Sequence, residues 1–184
     1  MWPTVAAPDM IARSILQRTI HRDMLYIRRY RDADCDEVWR LHNLALDDVG
    51  AHAGNGAWDD DVREIGAVYL SDGGEFLVGV LREKIVAMGA LKRTSSSRAE
   101  VKRMRVHPDQ QRKGFGRAIL LELERRAVER GYSAVHLDTT VQQTAAQHLY
   151  EENGYAKIGH RRVGDFQCIF YEKQLDGAND GQDR

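Results

Sequence analysis

The densest chemistry in the chain lies in Val106-His-Pro-Asp-Gln-Gln-Arg-Lys-Gly-Phe-Gly-Arg-Ala118. A strand ends at Pro108, which has no N–H to give, and a short loop with two glycines opens a long helix. The amides of a first helical turn have no partner inside the helix, and that end carries partial positive charge. Such a turn is therefore a site for an anion. Gly114 and Gly116 lack a Cβ and let a ligand approach the backbone. Arg112, Lys113 and Arg117 add positive charge. The dinucleotide pattern G-x-G-x-x-G fails because Ile119 stands at its third glycine, and the nucleoside-triphosphate pattern fails because Lys113 precedes its glycine. NAD and ATP are thereby disfavoured, and the pyrophosphate of another cofactor stays open.

The elements that must hold this loop follow from hydrophobic spacing. Leu25–Tyr30 is predicted as a strand. Acidic cap residues from Asp32 to Asp36 then lead into a helix carrying Val38, Leu41, His42 and Leu46. A glycine-rich loop spans Gly50 to Gly56. The run Asp59–Asp61 reads as the cap of a second helix with Val62, Ile65 and Tyr69. Glu75–Leu81 and Lys84–Leu91, joined by Arg82-Glu83, predict a hairpin. Ala99, Val101, Met104 and Val106 mark a fourth strand, and the skipped spacing after Val101 predicts a bulge. The helix after the loop carries Ile119, Leu123 and Ala127 and stops at Gly131. A fifth strand from Ala134, a helix from Gln142 to Asn153 stopped by Gly154, and two last strands, Tyr155–His160 and Phe166–Lys173, complete the order. The pattern β-α-α-β-β-β-α-β-α-β-β predicts the α/β (α+β) class: a mixed sheet of six to seven strands flanked by about four helices.

Composition bounds the function. One domain is the default for 184 residues, with 42% hydrophobic and 30% charged side chains. The 27 basic and 28 acidic residues leave a net charge of −1, which gives no field to attract nucleic acid. No apolar run reaches the roughly 18–20 residues of a membrane span. Cys35 and Cys168 form no paired motif, so a disulfide scaffold and a thiolate metal site are not expected, and a cytoplasmic location fits. Ile11, Ile15, Leu16 and Ile20, with Arg13, Arg18 and Arg22 between them, are read as a helical or disordered N-terminal extension (residues 1–23) rather than a transit peptide. The domain is expected over 24–175, followed by a disordered tail over 176–184.

The segment Gln111-x-x-Gly114-x-Gly116 after Val-x-Pro resembles the acetyl-CoA loop of the GCN5-related N-acetyltransferase (GNAT) superfamily, Arg/Gln-x-x-Gly-x-Gly/Ala. About thirty residues on, Ala146-Gln-His-Leu-Tyr-Glu-Glu-Asn-Gly-Tyr155 is similar to that family's second motif. The likeness covers roughly Leu25 to Lys173. It implies acetyl-CoA as cosubstrate, lying in a V between the fourth and fifth strands. Its pyrophosphate would rest on the amides of Gln111, Arg112, Lys113, Gly114, Phe115 and Gly116, with Arg117 and Ala118 at the edge. The backbone of Met104, Arg105 and Val106 would hold the pantetheine arm, one amide facing the thioester oxygen. Gln143 stands where many members carry Asn and would supply a secondary contact.

The resemblance also implies direct transfer to an amine. Tyr150 is the candidate general acid for the thiolate, against a reading as an aromatic anchor. Glu100 is the candidate general base, against a solvated carboxylate pairing Lys102 or Arg98. Cys168 as a covalent carrier is disfavoured, His107 reads as capping the strand end and His136 as a sheet-face residue, and no metal is expected. Gly89 and its strand neighbours leave the acyl chain length open. Asp47, Asp48 and His52, with Trp58 and Asp59–Asp61, would border the acceptor, although for Asp59–Asp61 capping is favoured. The expected function is acetylation of a primary amine of a small molecule such as an amino acid or polyamine, by a monomer or homodimer. A protein lysine or N-terminal acetyltransferase and a non-catalytic CoA-binding module are the alternatives.

Overall fold

The computed structural model describes residues 24–48, 50, 54 and 56–176. The predicted extension over 1–23, His52 and the tail from 177 on lie outside the described residues.

Seven strands form one mixed sheet in the order β1-β2-β3-β4-β5-β7-β6. They are β1 Tyr26–Arg29, β2 Glu75–Leu81, β3 Lys84–Arg93, β4 Arg98–Val106, β5 Ala134–Thr140, β6 Ala156–Val163 and β7 Phe166–Gln174. The helices are α1 Cys35–Asp48, α2 Asp60–Arg63, α3 Phe115–Glu129 and α4 Thr144–Glu152. Gly131 and Gly154 end α3 and α4 with φ of 81° and 86°, the left-handed turn that a glycine adopts without strain. No helix among the described residues is long and apolar enough to cross a membrane.

The two sheet faces are covered by different helices, as the alternation of side chains along each strand requires. On one face Val38 and Leu41 of α1, with Val62, Ile65 and Tyr69, cover Phe76, Val78, Met88 and Ala90. On the other, Ile119, Leu120, Leu123 and Ala127 of α3 and Tyr150 of α4 cover Leu77, Leu91, Ala99, Val101, Val135 and Leu137. Glu75 is fully buried yet paired with Arg29 and Arg130, so its charge is compensated.

The second helix departs from its prediction. The segment expected as one helix is instead three short pieces: a 3-10 turn at Ala57–Asp59, the four residues of α2, and a π-helical turn over Gly66–Leu70. Asp59 caps nothing with its side chain. Its carboxylate and that of Asp61 are drawn instead to β4, which reverses the capping reading.

Candidate active site

Strands β4 and β5 run parallel and pair only over Arg98–Glu100 with Ala134–His136. Beyond that point β4 continues against β3 and β5 against β7, so the sheet opens into a V between them. The β4 backbone after Glu100 thus has strand neighbours on its β3 side alone. At the mouth of the V the chain passes through a 3-10 turn at Pro108–Gln110, capped by His107, whose Nδ1 accepts from the Asp109 amide at 3.2 Å. It then enters the glycine loop. Gly114 has φ of 80°, and a Cβ built there would meet nothing within 4 Å, so the loop is open to a ligand. The first bond back into α3 is Ala118 N–H to the Gly114 carbonyl at 2.9 Å, and the amides before it point out of the helix end. That geometry fits a diphosphate.

The loop side chains are partly occupied. Lys113 Nζ donates to the Asp109 carbonyl at 3.0 Å and to Gln110 Oε1 at 2.9 Å. Gln111 Nε2 donates to Asp48 on α1 at 3.0 Å. Arg117 Nε donates to Asn153 Oδ1 at 3.0 Å, tying α3 to the end of α4. Arg112 is exposed, at φ 61°. Phe115 packs against the α3 core. Gln143 precedes α4 and accepts from Thr139 Oγ1 at 2.7 Å.

The predicted bulge exists and changes the face on which later residues of β4 stand. Met88 pairs with Arg105 and Ala90 with Lys102, so β4 carries one residue more than β3, and Arg103 takes φ of 54°. Parity therefore flips. Met104 turns toward α3, where a Cβ on Gly89 would lie 2.6 Å from its Sδ and 2.7 Å from Ile119 Cγ2. Gly89 is thus a packing glycine under the bulge, and the space beside it is filled by core side chains rather than left for a longer acyl chain.

Arg103 falls on the opposite face and meets the α1–α2 side. Its Nε donates to Asp61 Oδ2 at 2.9 Å, its Nη1 lies 3.4 Å from Asp59 Oδ1, and its Nη2 reaches the Trp58 carbonyl. Asp61 also accepts from the Tyr69 hydroxyl. Burial would raise Asp61, but Arg103 and Tyr69 outweigh it and hold the carboxyl below its ordinary value. Asp59 Oδ1 lies 3.0 Å from Nε2 of the fully buried His42, on which Trp39 stacks.

The profile of the acetyltransferase (GNAT) family matches residues 30–155. The chain belongs to that family. Among curated relatives, the GNAT domain is 34% identical over 101 residues to N-acetylaspartate synthetase of Danio rerio, covering 54% of this chain and 36% of that protein. It is 29% identical over 147 residues to mycothiol acetyltransferase of Gordonia bronchialis, covering 77% of this chain and 47% of the relative. The chain therefore spans about a third to a half of the length of these relatives. Among solved structures, a GNAT-family acetyltransferase from Staphylococcus aureus superposes with a TM-score of 0.76 at 19% identity, over 83% of this chain and all of that one. The yncA protein of Salmonella typhimurium, solved with its cofactor acetyl-CoA, gives 0.68 at 22% identity over 83% of this chain and 94% of its own. At these identities the structural likeness speaks for the fold.

Within the GNAT domain, the remaining predicted residues lie on α4, β4 and β7. Tyr150 of α4 is buried, its ring centroid 5.7 Å from that of Tyr155 and 5.9 Å from that of Tyr171. Burial pushes its hydroxyl up to about 12, against the opposing charge of Arg105. Glu100 stands where the V closes, on the face away from Ala99 and Val101, and pairs with Lys102 Nζ at 3.2 Å. Cys168 of β7 is buried, and burial with nearby Asp138 raises its thiol, which disfavours a nucleophilic role. Among the described residues no cluster of His, Cys, Asp and Glu is arranged to hold a metal.

Sequence reasoning missed His42, Arg103 and the Arg105 side chain as a cluster on the α1 side of β4. The bulge hint between Val101 and Met104 was the available signal.

His42 makes acid stability a direct readout of this network. Burial, and then the charges of Arg105 and Arg103, lower its pKa to about 4, although Asp59 opposes them. Between the ordinary imidazole value and that depressed one, the unfolded chain binds a proton that the folded chain refuses. Stability must therefore fall as pH drops from about 6.5 to about 4. Melting temperatures measured across pH 7 to 4.5 should decline more steeply in the wild type than in His42→Gln. Parallel declines would remove His42 from the account.

Proposed function

We propose that this domain moves an acetyl group from acetyl-CoA directly to a primary amine of a small molecule. The single observation that carries the reading is the joined geometry of gap and loop. A β4 backbone without a strand neighbour on one side runs into a turn of outward-pointing amides. One ligand with an extended amide-bearing arm and a diphosphate at its end suits both. The relatives support a small acceptor, since their names specify N-acetylaspartate and mycothiol.

In this reading the Met104 amide faces the thioester oxygen and stabilises the charge that develops on it. The neutral amine attacks the carbonyl carbon, a C–N bond forms and the C–S bond breaks. The amine gives up a proton, and the departing sulfur receives a hydrogen bond or proton from Tyr150. Glu100 lies four residues before Met104 with the bulge between them, so it takes the amine proton through water.

A thiol-release screen with acetyl-CoA against amines, amino acids and peptides tests the function. Release with small amines is the expected result. Release with peptides alone would replace the reading by a protein acetyltransferase, and CoA binding without any release would leave a binding module.

Glu100 is tested by pH. An alkyl ammonium resembles lysine, with a pKa near 10.4, so at neutral pH it must lose a proton before it attacks. Glu100→Gln should lose roughly 10²-fold in kcat/KM at pH 7 and regain part of it by pH 9, where more of the amine is already neutral. A variant that keeps the wild-type rate from pH 6 to 9 would exclude Glu100 as the base.

A further inference from the structure

Among the described residues, Arg105 is a shielded cation whose pairing is incomplete. It follows Met104 on β4 and stands on the face that the bulge turns toward α1 and the Trp58–Asp61 segment. Its neighbour Arg103 is saturated by Asp61, Asp59 and the Trp58 carbonyl. Arg105 has one such contact, Nη1 to the Met104 carbonyl at 2.8 Å. Its Nε is shielded from solvent and has no hydrogen-bond partner. Among the described residues no carboxylate forms an ion pair with it, since Asp59 and Asp61 are engaged by Arg103, His42 and Tyr69. Burial, with the charge of Arg103, lowers Arg105 to about 10, which still leaves it a cation at neutral pH.

A guanidinium held by one Nη leaves the Nε and second Nη edge free. That edge is the fork that matches the two oxygens of a carboxylate. A shielded cation with an empty fork is costly unless something of opposite charge completes it. The fork belongs to the residue after Met104, whose amide faces the thioester oxygen in the reading above. A group docked there is therefore held beside the reacting carbonyl.

We propose that Arg105 receives a carboxylate carried by the acceptor next to its amine, so that the acceptor is an amino acid rather than a polyamine. The proposal rests on the small-molecule reading above and sharpens it. An α-amino acid presents its amine one carbon from the carboxylate, so anchoring one orients the other toward the thioester carbon. A polyamine brings only positive charge to an arginine and is repelled. The competing reading is internal: Asp59 Oδ2 is also buried without a partner and could serve as the counter-ion of Arg105.

The test compares matched acceptors: L-aspartate, L-phenylalanine and L-lysine, each with its α-amide, and spermidine. In the wild type the free acids should exceed their amides in kcat/KM, and spermidine should be the poorest. In Arg105→Gln the acid-over-amide ratio should collapse on the order of 10²-fold, mainly through KM. Arg105→Lys should restore part of it as a point charge. A readout without turnover is calorimetry of N-acetyl-L-aspartate, N-acetyl-L-phenylalanine and their amides on the CoA-saturated protein. The acids should bind tighter, and only while Arg105 is present.

Equal use of acids and amides by the wild type would overturn the carboxylate proposal while leaving small-amine acetylation standing. So would an Arg105→Gln variant that loses both in the same proportion along with melting temperature, the signature of an internal counter-ion. If peptides are acetylated and no small amine is, the function reading fails by itself. The carboxylate proposal is then overturned separately if the calorimetric preference is also missing.

Discussion

Gly116→Asp should abolish CoA binding and leave the fold intact. A Cβ at position 116 meets Val106 Cγ2 at 3.5 Å and Leu149 Cδ2 at 3.6 Å, ordinary van der Waals contact, so the backbone accommodates a side chain. A carboxylate in the first turn of α3 is favourable for the helix itself, because it complements the positive helix end. The same carboxylate would occupy the amides of the Gly114–Arg117 turn and oppose the charge of a diphosphate. Like charges brought together cost several kcal/mol, so affinity should fall on the order of 10³-fold or more. Gly116→Ala, which adds volume without charge, should lose much less. Calorimetry with CoA, read beside a thermal melt, separates the outcomes. An Asp variant that binds CoA like the wild type would sink the loop assignment.

Tyr150→Phe should lower turnover roughly 10²- to 10⁴-fold, the span of general acid catalysis, with little change in CoA affinity or melting temperature. The substitution keeps the ring that packs between Tyr155 and Tyr171. Burial, then the charges of Arg105 and Asp138, set the ionisation of the hydroxyl, and among the described residues no side chain hydrogen-bonds to it, so its removal strands no partner there. A melting temperature that drops with normal specific activity would instead identify Tyr150 as an anchor. With a pKa of about 12, this hydroxyl keeps its proton well past pH 10. Turnover should therefore show no decline between pH 8 and 10 from loss of that proton. Such an alkaline decline, absent in Tyr150→Phe, would contradict the buried, protonated state.

The loop was legible because its residue types, Gly114, Gly116 and three nearby cations, speak through local geometry alone. The strand and helix order was legible for a similar reason: Ile119, Leu123 and Ala127 repeat at helical spacing, and Gly131 and Gly154 stop their helices at positive φ. The bulge was visible as a skipped apolar position, but its consequence was not. Whether Arg103 and Arg105 or Met104 face α1 depends on which residue is extra, and that is settled by the register with Met88 and Ala90 across the strand pair. The run Asp59–Asp61 misled for the same reason. Three aspartates before a helix satisfy a local capping rule, yet two partners distant in sequence, Arg103 of β4 and the buried His42 of α1, compete for them and win. Gly89 read as spare room, because nothing near it in sequence reports that Met104 and Ile119 press against it.

The three-residue seam between β4 and β5 has a further consequence for how the molecule comes apart. Strands β1 to β4 are knitted by antiparallel ladders, and so are β5, β7 and β6, while the sheet joins the two blocks through the short ladder of Arg98–Glu100 against Ala134–His136, the Arg98–Glu172 ion pair beside it and the core beneath α3 and α4. Cooperative opening units in proteins follow such boundaries, with the weakest joint parting at the lowest free energy. A ligand bridging both arms of the V binds the closed form alone, and by mass action it stabilises that form by about 2.7 kcal/mol at a hundredfold excess over its dissociation constant. Amide-exchange protection of the two blocks, and with it resistance to proteolysis, thereby becomes tied to the concentration of whatever fills the gap. The joint that makes room for chemistry is also the gauge by which the fold senses its own supply.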